Sequence, residues 1–183
     1  LSRRQRQMCI RDRVWVAIFA LMNATAIIVG KALGAGDRER AYLYAKRMMA
    51  GAVAAGVALG LLVIAVRWPL VNIFSGLSYP VREKAQFILM LGALTIWFRA
   101  FNTINIVGVL RSGGDTLFSL CLDVGTLWLV GVTSTGLAAL VFHWPLEWVY
   151  ACTFLEEAVK MAVGIPHFKK KQWMNVLTEQ PQG

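Results

Sequence analysis

Between two long apolar runs, at residues 109–118, the sequence reads VLRSGGDTLF. Such a polar, glycine-rich stretch suits either a phosphate-binding loop of a soluble enzyme or a tight turn between two membrane spans. A Walker A loop needs a lysine and a hydroxyl residue directly after its second glycine, and a dinucleotide loop needs a preceding strand. Neither this stretch nor GKALGAGD at residues 30–37 meets these requirements, so the sequence favours the membrane turn.

The composition supports a membrane protein. The chain has 183 residues, of which 57% are hydrophobic and 16% charged, whereas a soluble domain has about 45–50% and about 25%. Residues 48–66 and 124–146 carry no charged side chain. Because roughly 20 apolar residues cross the hydrocarbon core of a bilayer, both runs are long enough to span it.

Five apolar segments predict five transmembrane helices, since lipid offers no partner to unpaired backbone groups. The sequence therefore predicts an all-α polytopic membrane helix bundle. Its expected spans are residues 14–33, 48–66, 85–110, 116–137 and 144–166.

Two similar turns are expected between these spans. Glycine readily adopts the left-handed conformation that ends a helix, and aspartate or threonine begins the next helix. Arg111 is placed where the helix dipole favours a cation. The predicted turn residues are Gly34, Gly36 and Asp37 in the first turn, and Arg111, Gly113, Gly114 and Asp115 in the second.

The net charge of +9 follows the membrane pattern and does not indicate nucleic-acid binding. Nine basic residues lie on one side of the predicted spans and three on the other, which predicts the nine-residue side to be cytoplasmic. The expected location is the inner (plasma) membrane, with residues 167–183 as a cytoplasmic basic tail. The three cysteines have no metal-binding spacing, and no metal site is expected.

Residues 1–13 break this charge rule, because their five arginines would lie outside the cell. The motif MCIRDR at residues 8–13 is similar to a translated sequencing adapter. We therefore expect residues 1–13 to be a non-native leader, and residues 14–166 to form five helices of a longer protein.

Small residues mark the second span, where Gly56 and Gly60 are four positions apart. Such spacing permits close helix packing, although alanine-rich filler is an equal alternative.

Ionisable residues at bilayer depth are costly and indicate a functional site. Arg99 and Asn102 form a polar stripe on the third span, flanked by Asn105. This stripe lines either a substrate cleft or a contact between helices. Asp123 in the fourth span either pairs with Arg99 or binds a coupling cation. In the fifth span, Glu156 and Lys160 have the i, i+4 spacing of a structural ion pair.

Three segments occur in an order and spacing that resemble the C-terminal lobe of the multidrug and toxic compound extrusion (MATE) family. They read VGKALGAGDRERAYLYAKR, NIVGVLRSGGDTLFSLCLDVGTLWLVGV and EEAVKMAVGIPHFKKKQW. Family members have twelve helices in two six-helix lobes, so the resemblance implies helices eight to twelve. The first lobe and helix seven would then be a missing partner of this chain. The stretch GVTSTGLAAL at residues 131–140 departs from the family pattern and leaves the end of the fourth span open.

The resemblance implies secondary active efflux of amphipathic or cationic organic compounds against H+ or Na+. The family's acid in the third of these helices has no buried counterpart here, because Glu83 is at the outer edge. Alternatives are a flippase of lipid-linked oligosaccharides from the same superfamily and a membrane scaffold or channel subunit. We expect no enzymatic activity and no cofactor beyond the coupling ion. The expected partners are the lipid bilayer, small organic substrates and the missing lobe.

Overall fold

The computed structural model describes residues 3–72 and 79–175, which form five helices and, within these ranges, no β-strand. The helices are α1 (Arg3–Gly34), α2 (Arg38–Asn72), α3 (Tyr79–Leu110), α4 (Thr116–Val141) and α5, which consists of Leu146–Ala151 and Thr153–Lys169 on either side of Cys152. This arrangement confirms the predicted all-α bundle.

Three of the helices have parts long and apolar enough to cross a membrane: Arg38–Pro69, Tyr79–Leu110 and Thr116–Val141. α1 adds a shorter apolar part, Ile18–Gly34. Large apolar side chains on α4, such as Leu117, Leu129 and Leu140, are about three-quarters exposed. A water-soluble protein rarely exposes apolar surface on this scale, so these faces suit contact with lipid.

The helices extend beyond the predicted spans at their polar ends. α2 begins directly at Arg38, so the cytoplasmic loop expected before residue 48 is instead helical. α1 is helical from Arg3, and α5 continues to Lys169, past the predicted end of the span. Residues 1–2 of the predicted leader and 176–183 of the predicted tail lie outside the described residues. The non-native origin of the leader stays a prediction.

The turn between α1 and α2 has the predicted form. Gly36 adopts a left-handed φ of +76°. The N–H of Gly36 donates to the carbonyl of Leu33 (2.9 Å), and that of Asp37 donates to the carbonyl of Ala32 (3.1 Å). These two bonds satisfy carbonyls that the end of a helix would otherwise leave unpaired. Asp37 then caps α2, because its Oδ1 accepts the N–H of Arg40 at 3.0 Å.

The turn between α3 and α4 repeats the same hydrogen bonds. Gly114 has a φ of +91°, its N–H donates to Arg111, and the N–H of Asp115 donates to Leu110, both at 3.1 Å. The Asp115 side chain does not cap α4. Its Oδ2 lies 2.5 Å from Nε2 of His167 on α5, so this aspartate joins two helices.

The small residues of α2 permit a close approach of α3. A Cβ atom added at Gly56 would lie 2.6 Å from Cα of Trp97, and one added at Gly60 would lie 2.6 Å from the carbonyl oxygen of Ala93. Both neighbours are backbone atoms and cannot rotate away. Close packing, and not alanine-rich filler, therefore explains these glycines.

We expect Gly56→Ala to destabilise the chain by about 1–3 kcal/mol, the usual cost of forcing a methyl group into a packed contact. Gly51→Ala is the matched control, because a Cβ at Gly51 meets no atom within 4 Å. Alanine is the better helix former by about 1 kcal/mol, so the control should be neutral or stabilising. Unfolding by SDS in mixed micelles measures both, and equal shifts would contradict the close contact.

The core of the bundle lies at the end where the two turns meet. Val29, Ala41 and Leu110 are fully buried there, and Trp173 from the segment after α5 is buried with them. The indole Nε1 of Trp173 donates to the carbonyl of Phe168 (3.2 Å), and the N–H of Asn175 donates to Gly113 (2.9 Å). Residues 170–175, which the sequence predicted to belong to a basic tail, close this end of the bundle.

Candidate functional site

The polar stripe of α3 faces α5. Asn102 is buried, and its Nδ2 donates to the carboxylate Oε2 (2.8 Å) and the backbone carbonyl (2.9 Å) of Glu157. One turn earlier, Nε of Arg99 donates to Oε1 of the same carboxylate at 3.2 Å. Glu157 is therefore the residue that holds the stripe against α5.

The backbone of α3 changes directly after this contact. Over Ile104–Leu110 the helix widens to π-helical hydrogen bonds, and the N–H of Arg111 donates to the carbonyl five residues earlier, in Ile106 (3.2 Å). A similar widened stretch, Leu127–Val132, follows Asp123 on α4. Short π-helical segments are frequent at functional sites, and here both adjoin the charged residues.

A second group of charges centres on Lys160. Its Nζ lies 2.9 Å from Oδ1 of Asp123 on α4 and 2.8 Å from Oε1 of Glu156, one turn earlier on α5. Nη2 of Arg111 lies 3.8 Å from the other oxygen of Asp123. A single ammonium group is thus shared by carboxylates from two helices, and Asp123 connects α4 to α5 just before the widened stretch.

A glycine makes room for one of these carboxylates. A Cβ added at Gly131 on α4 would lie 2.5 Å from Oε2 of Glu156. The missing side chain lets α4 approach Glu156, which is only 14% exposed. This contact falls within the stretch 131–140, where the sequence departs from the family pattern.

Both groups of charges line one open cleft of about 260 Å³ between α3, α4 and α5. The lining residues that can ionise are Arg99, Asp123, Glu156, Glu157 and Lys160. With two basic and three acidic groups ionised, the lining itself carries a formal charge of −1, and Arg111, which contacts Asp123 from beside the cleft, balances it. Arg99 and Asp123 are 55% and 41% exposed, whereas Lys160 is 10% exposed. The mouth of the cleft therefore exposes one cationic side chain, Arg99, and one carboxylate, Asp123.

Three of the four predicted pathway residues, Arg99, Asn102 and Asp123, lie together in this cleft. Asn105 lies elsewhere, because it is fully buried and its amide nitrogen would be 2.7 Å from a Cβ added at Gly164. The turn residues lie at the end of the bundle and are structural in the described part of the chain, apart from Arg111, which reaches Asp123.

The ion pairs differ from the expected Arg99–Asp123 pair. Arg99 pairs with Glu157, and Asp123 pairs with Lys160. The Glu156–Lys160 pair is present as predicted, but it belongs to a larger network. Sequence reasoning did not assign a site role to Glu157. The sequence contained one indication of this role. Glu156 and Glu157 are adjacent on α5 and have one nearby lysine, Lys160, so one of the two carboxylates needs a cation from another helix.

Among the described residues, three apolar helices are of membrane-spanning length, and two of them line the cleft of paired charges, which indicates a polytopic membrane protein. The sequence model of the family described as MatE matches residues 12–135, more than half of the chain. The chain therefore belongs to this family of membrane transporters, which confirms the resemblance. The matched region includes Arg99 and Asp123, and it ends before Glu157 and Lys160. Comparison with curated proteins and with solved structures gave no significant match.

Proposed function

We propose that this chain is part of an exporter of amphipathic or cationic organic compounds, driven by inward H+ or Na+ across the plasma membrane. In this proposal the chain works with a second helix lobe, and its C-terminus is cytoplasmic. The observation that carries the proposal is the charged cleft between α3, α4 and α5, in which Asp123 is the most exposed carboxylate. An open carboxylate among apolar helices attracts an organic cation and also a coupling ion.

Exchange requires that the two cations favour different states of the protein. Asp123 supplies a group for which they compete. When a proton or Na+ neutralises Asp123, the most exposed negative charge of the cleft is lost, and an organic cation is bound less tightly. Lys160 and Arg111 lie near the carboxylate, and they limit how strongly any single cation is held.

The charge of the cleft also separates this proposal from transport of lipid-linked oligosaccharides. Such a substrate carries a diphosphate, which needs basic side chains able to turn toward it. The two basic residues that line the cleft, Arg99 and Lys160, are each paired with carboxylates. The lining therefore disfavours a diphosphate.

We expect Asp123→Asn, made in the complete reading frame that contains this chain, to lower proton-coupled transport of an organic cation. Coupling free energies between two ligands are typically 1–3 kcal/mol, so the loss should be about fivefold to 150-fold. The measurement is ethidium efflux and the accompanying pH change in proteoliposomes. Glu83→Gln is the matched control, because Glu83 is exposed and lies outside the cleft.

Unchanged coupled transport in Asp123→Asn, at equal protein in the liposomes, would remove Asp123 from the pathway. Equal losses in Asp123→Asn and Glu83→Gln would indicate an unspecific effect of surface charge. The 183-residue chain alone should show no efflux, and measured efflux from it would contradict the need for a second lobe.

A further inference from the structure

A second groove lies at the turn between α1 and α2, on the end of the bundle that the charge distribution predicts to be cytoplasmic. It has a volume of about 540 Å³ and is separate from the charged cleft. The residues that line it are Ile28, Lys31, Ala32, Ala35, Asp37, Arg40, Tyr44 and Met48.

The groove is polar at one end and apolar at the other, as the spacing of its residues along the two helices shows. On α2, Arg40, Tyr44 and Met48 are four residues apart and so lie on one face of the helix. Polar Arg40 is beside the turn, and apolar Met48 is two turns deeper into the predicted membrane region. On α1, Lys31 lies near the turn and Ile28 lies nearly one turn deeper. The two faces therefore provide cationic groups at one end of the groove and an apolar surface at the other.

The charges at the polar end leave one cation uncompensated. Nε of Arg40 lies 3.0 Å from Oδ2 of Asp37, so these two groups neutralise each other. Lys31 is exposed and has no ion pair with any residue that the structure describes. The groove thus has a formal charge of +1, which one phosphodiester group would balance.

We propose that this groove binds an anionic phospholipid. The ammonium group of Lys31 binds the phosphate of the headgroup, with Arg40 and the Tyr44 hydroxyl within the same polar end. One acyl chain lies along Ile28, Ala32 and Met48. Basic pockets between transmembrane helices on the cytoplasmic side suit anionic headgroups. The gradient of polarity selects a lipid over a free anion, because only a lipid uses both ends of the groove.

The test uses the 183-residue chain in detergent, titrated with phosphatidylglycerol or phosphatidylcholine, with bound lipid counted by native mass spectrometry. We expect phosphatidylglycerol to bind more tightly, and Lys31→Gln to weaken its binding about fivefold, the effect of one basic residue near an anionic headgroup. Arg38→Gln is the matched control, since Arg38 is exposed at the same turn but does not line the groove. Equal weakening of phosphatidylglycerol binding in both variants would contradict the proposed site and would indicate an unspecific effect of surface charge.

A second variant should act in the opposite direction. Asp37→Asn removes the carboxylate that competes for Arg40, and asparagine remains a good helix cap, so phosphatidylglycerol should bind more tightly than to the unchanged chain. Unchanged or weaker binding would contradict the proposal. Displacement of the lipid by millimolar inorganic phosphate would show a free-anion site and would also overturn it. None of these measurements depends on transport, so they stand apart from the proposed exporter function.

Discussion

Replacing Lys160 by methionine should lower the free energy of unfolding of the chain in micelles by about 3–5 kcal/mol, the cost of leaving a buried ion without its partner. Lys160 is 10% exposed, and its ammonium group is shared by Glu156 and Asp123 at 2.8 Å and 2.9 Å. Asp123 is partly open to solvent, which screens its charge. Most of the loss in stability therefore comes from Glu156, whose carboxylate lies in a narrow space beside Gly131.

Removing the orphaned carboxylates should restore much of the lost stability. Complete replacement of a buried ionic network by neutral groups is often close to neutral in free energy, whereas removal of one partner is costly. We therefore expect the triple variant Lys160→Met, Glu156→Gln, Asp123→Asn to be more stable than Lys160→Met alone. SDS unfolding followed by circular dichroism measures both.

Lys46→Met is the matched control for the lysine itself. Lys46 is exposed on α2 and forms no ion pair with the described residues, so its replacement should change stability by less than about 0.5 kcal/mol. If Lys160→Met and Lys46→Met were equally stable, the network around Lys160 would contribute nothing to the fold.

The turns of this bundle were predictable because their causes are local. Gly36 and Gly114 adopt left-handed backbone conformations, and each is followed by an aspartate at the start of the next helix. The same local signals could not show where α2 becomes part of the membrane. Arg38 and Arg40 are exposed in the first turn of the continuous helix α2, so their charges do not interrupt it.

The partners in the cleft were not predictable, because the pairs join distant parts of the chain. Arg99 and Glu157 are 58 residues apart in sequence, and a single sequence carries no information on which helices are neighbours. The polarity of α3 indicated that Arg99 and Asn102 do not face lipid, and in the structure both side chains contact Glu157. Whether Asp123 or Glu157 is the partner of Arg99 depends on whether α4 or α5 turns a carboxylate toward α3, which only the structure shows.

Residues 169–173 show a second reason why part of the fold could not be predicted from the sequence. The sequence KKKQW at residues 169–173 has three adjacent lysines, and this charge indicated a solvated tail. A single tryptophan gives no periodicity, so its burial left no pattern to detect. In the structure a left-handed residue, Lys171 (φ +58°), reverses the chain and directs Trp173 into the core.

Trp173→Ala should destabilise the chain by about 3–5 kcal/mol, the usual cost of deleting a buried tryptophan side chain from a packed core. Trp173 is fully buried, its ring lies 5.7 Å from that of Phe168, and its backbone carbonyl approaches Gly113. Its loss would open a cavity beneath both turns at once, because Val29 beside the first turn and Leu110 beside the second belong to the same cluster.

Trp128→Ala is the matched control, because Trp128 on α4 is 63% exposed and deletion of its ring leaves no internal cavity. SDS unfolding followed by circular dichroism should separate the two variants by several kcal/mol. Hydrogen exchange locates the effect, since the Asn175 amide that donates to Gly113 should exchange much faster in Trp173→Ala. A variant that retains both the stability and the slow exchange of the unchanged chain would show that residues 170–175 do not close the bundle.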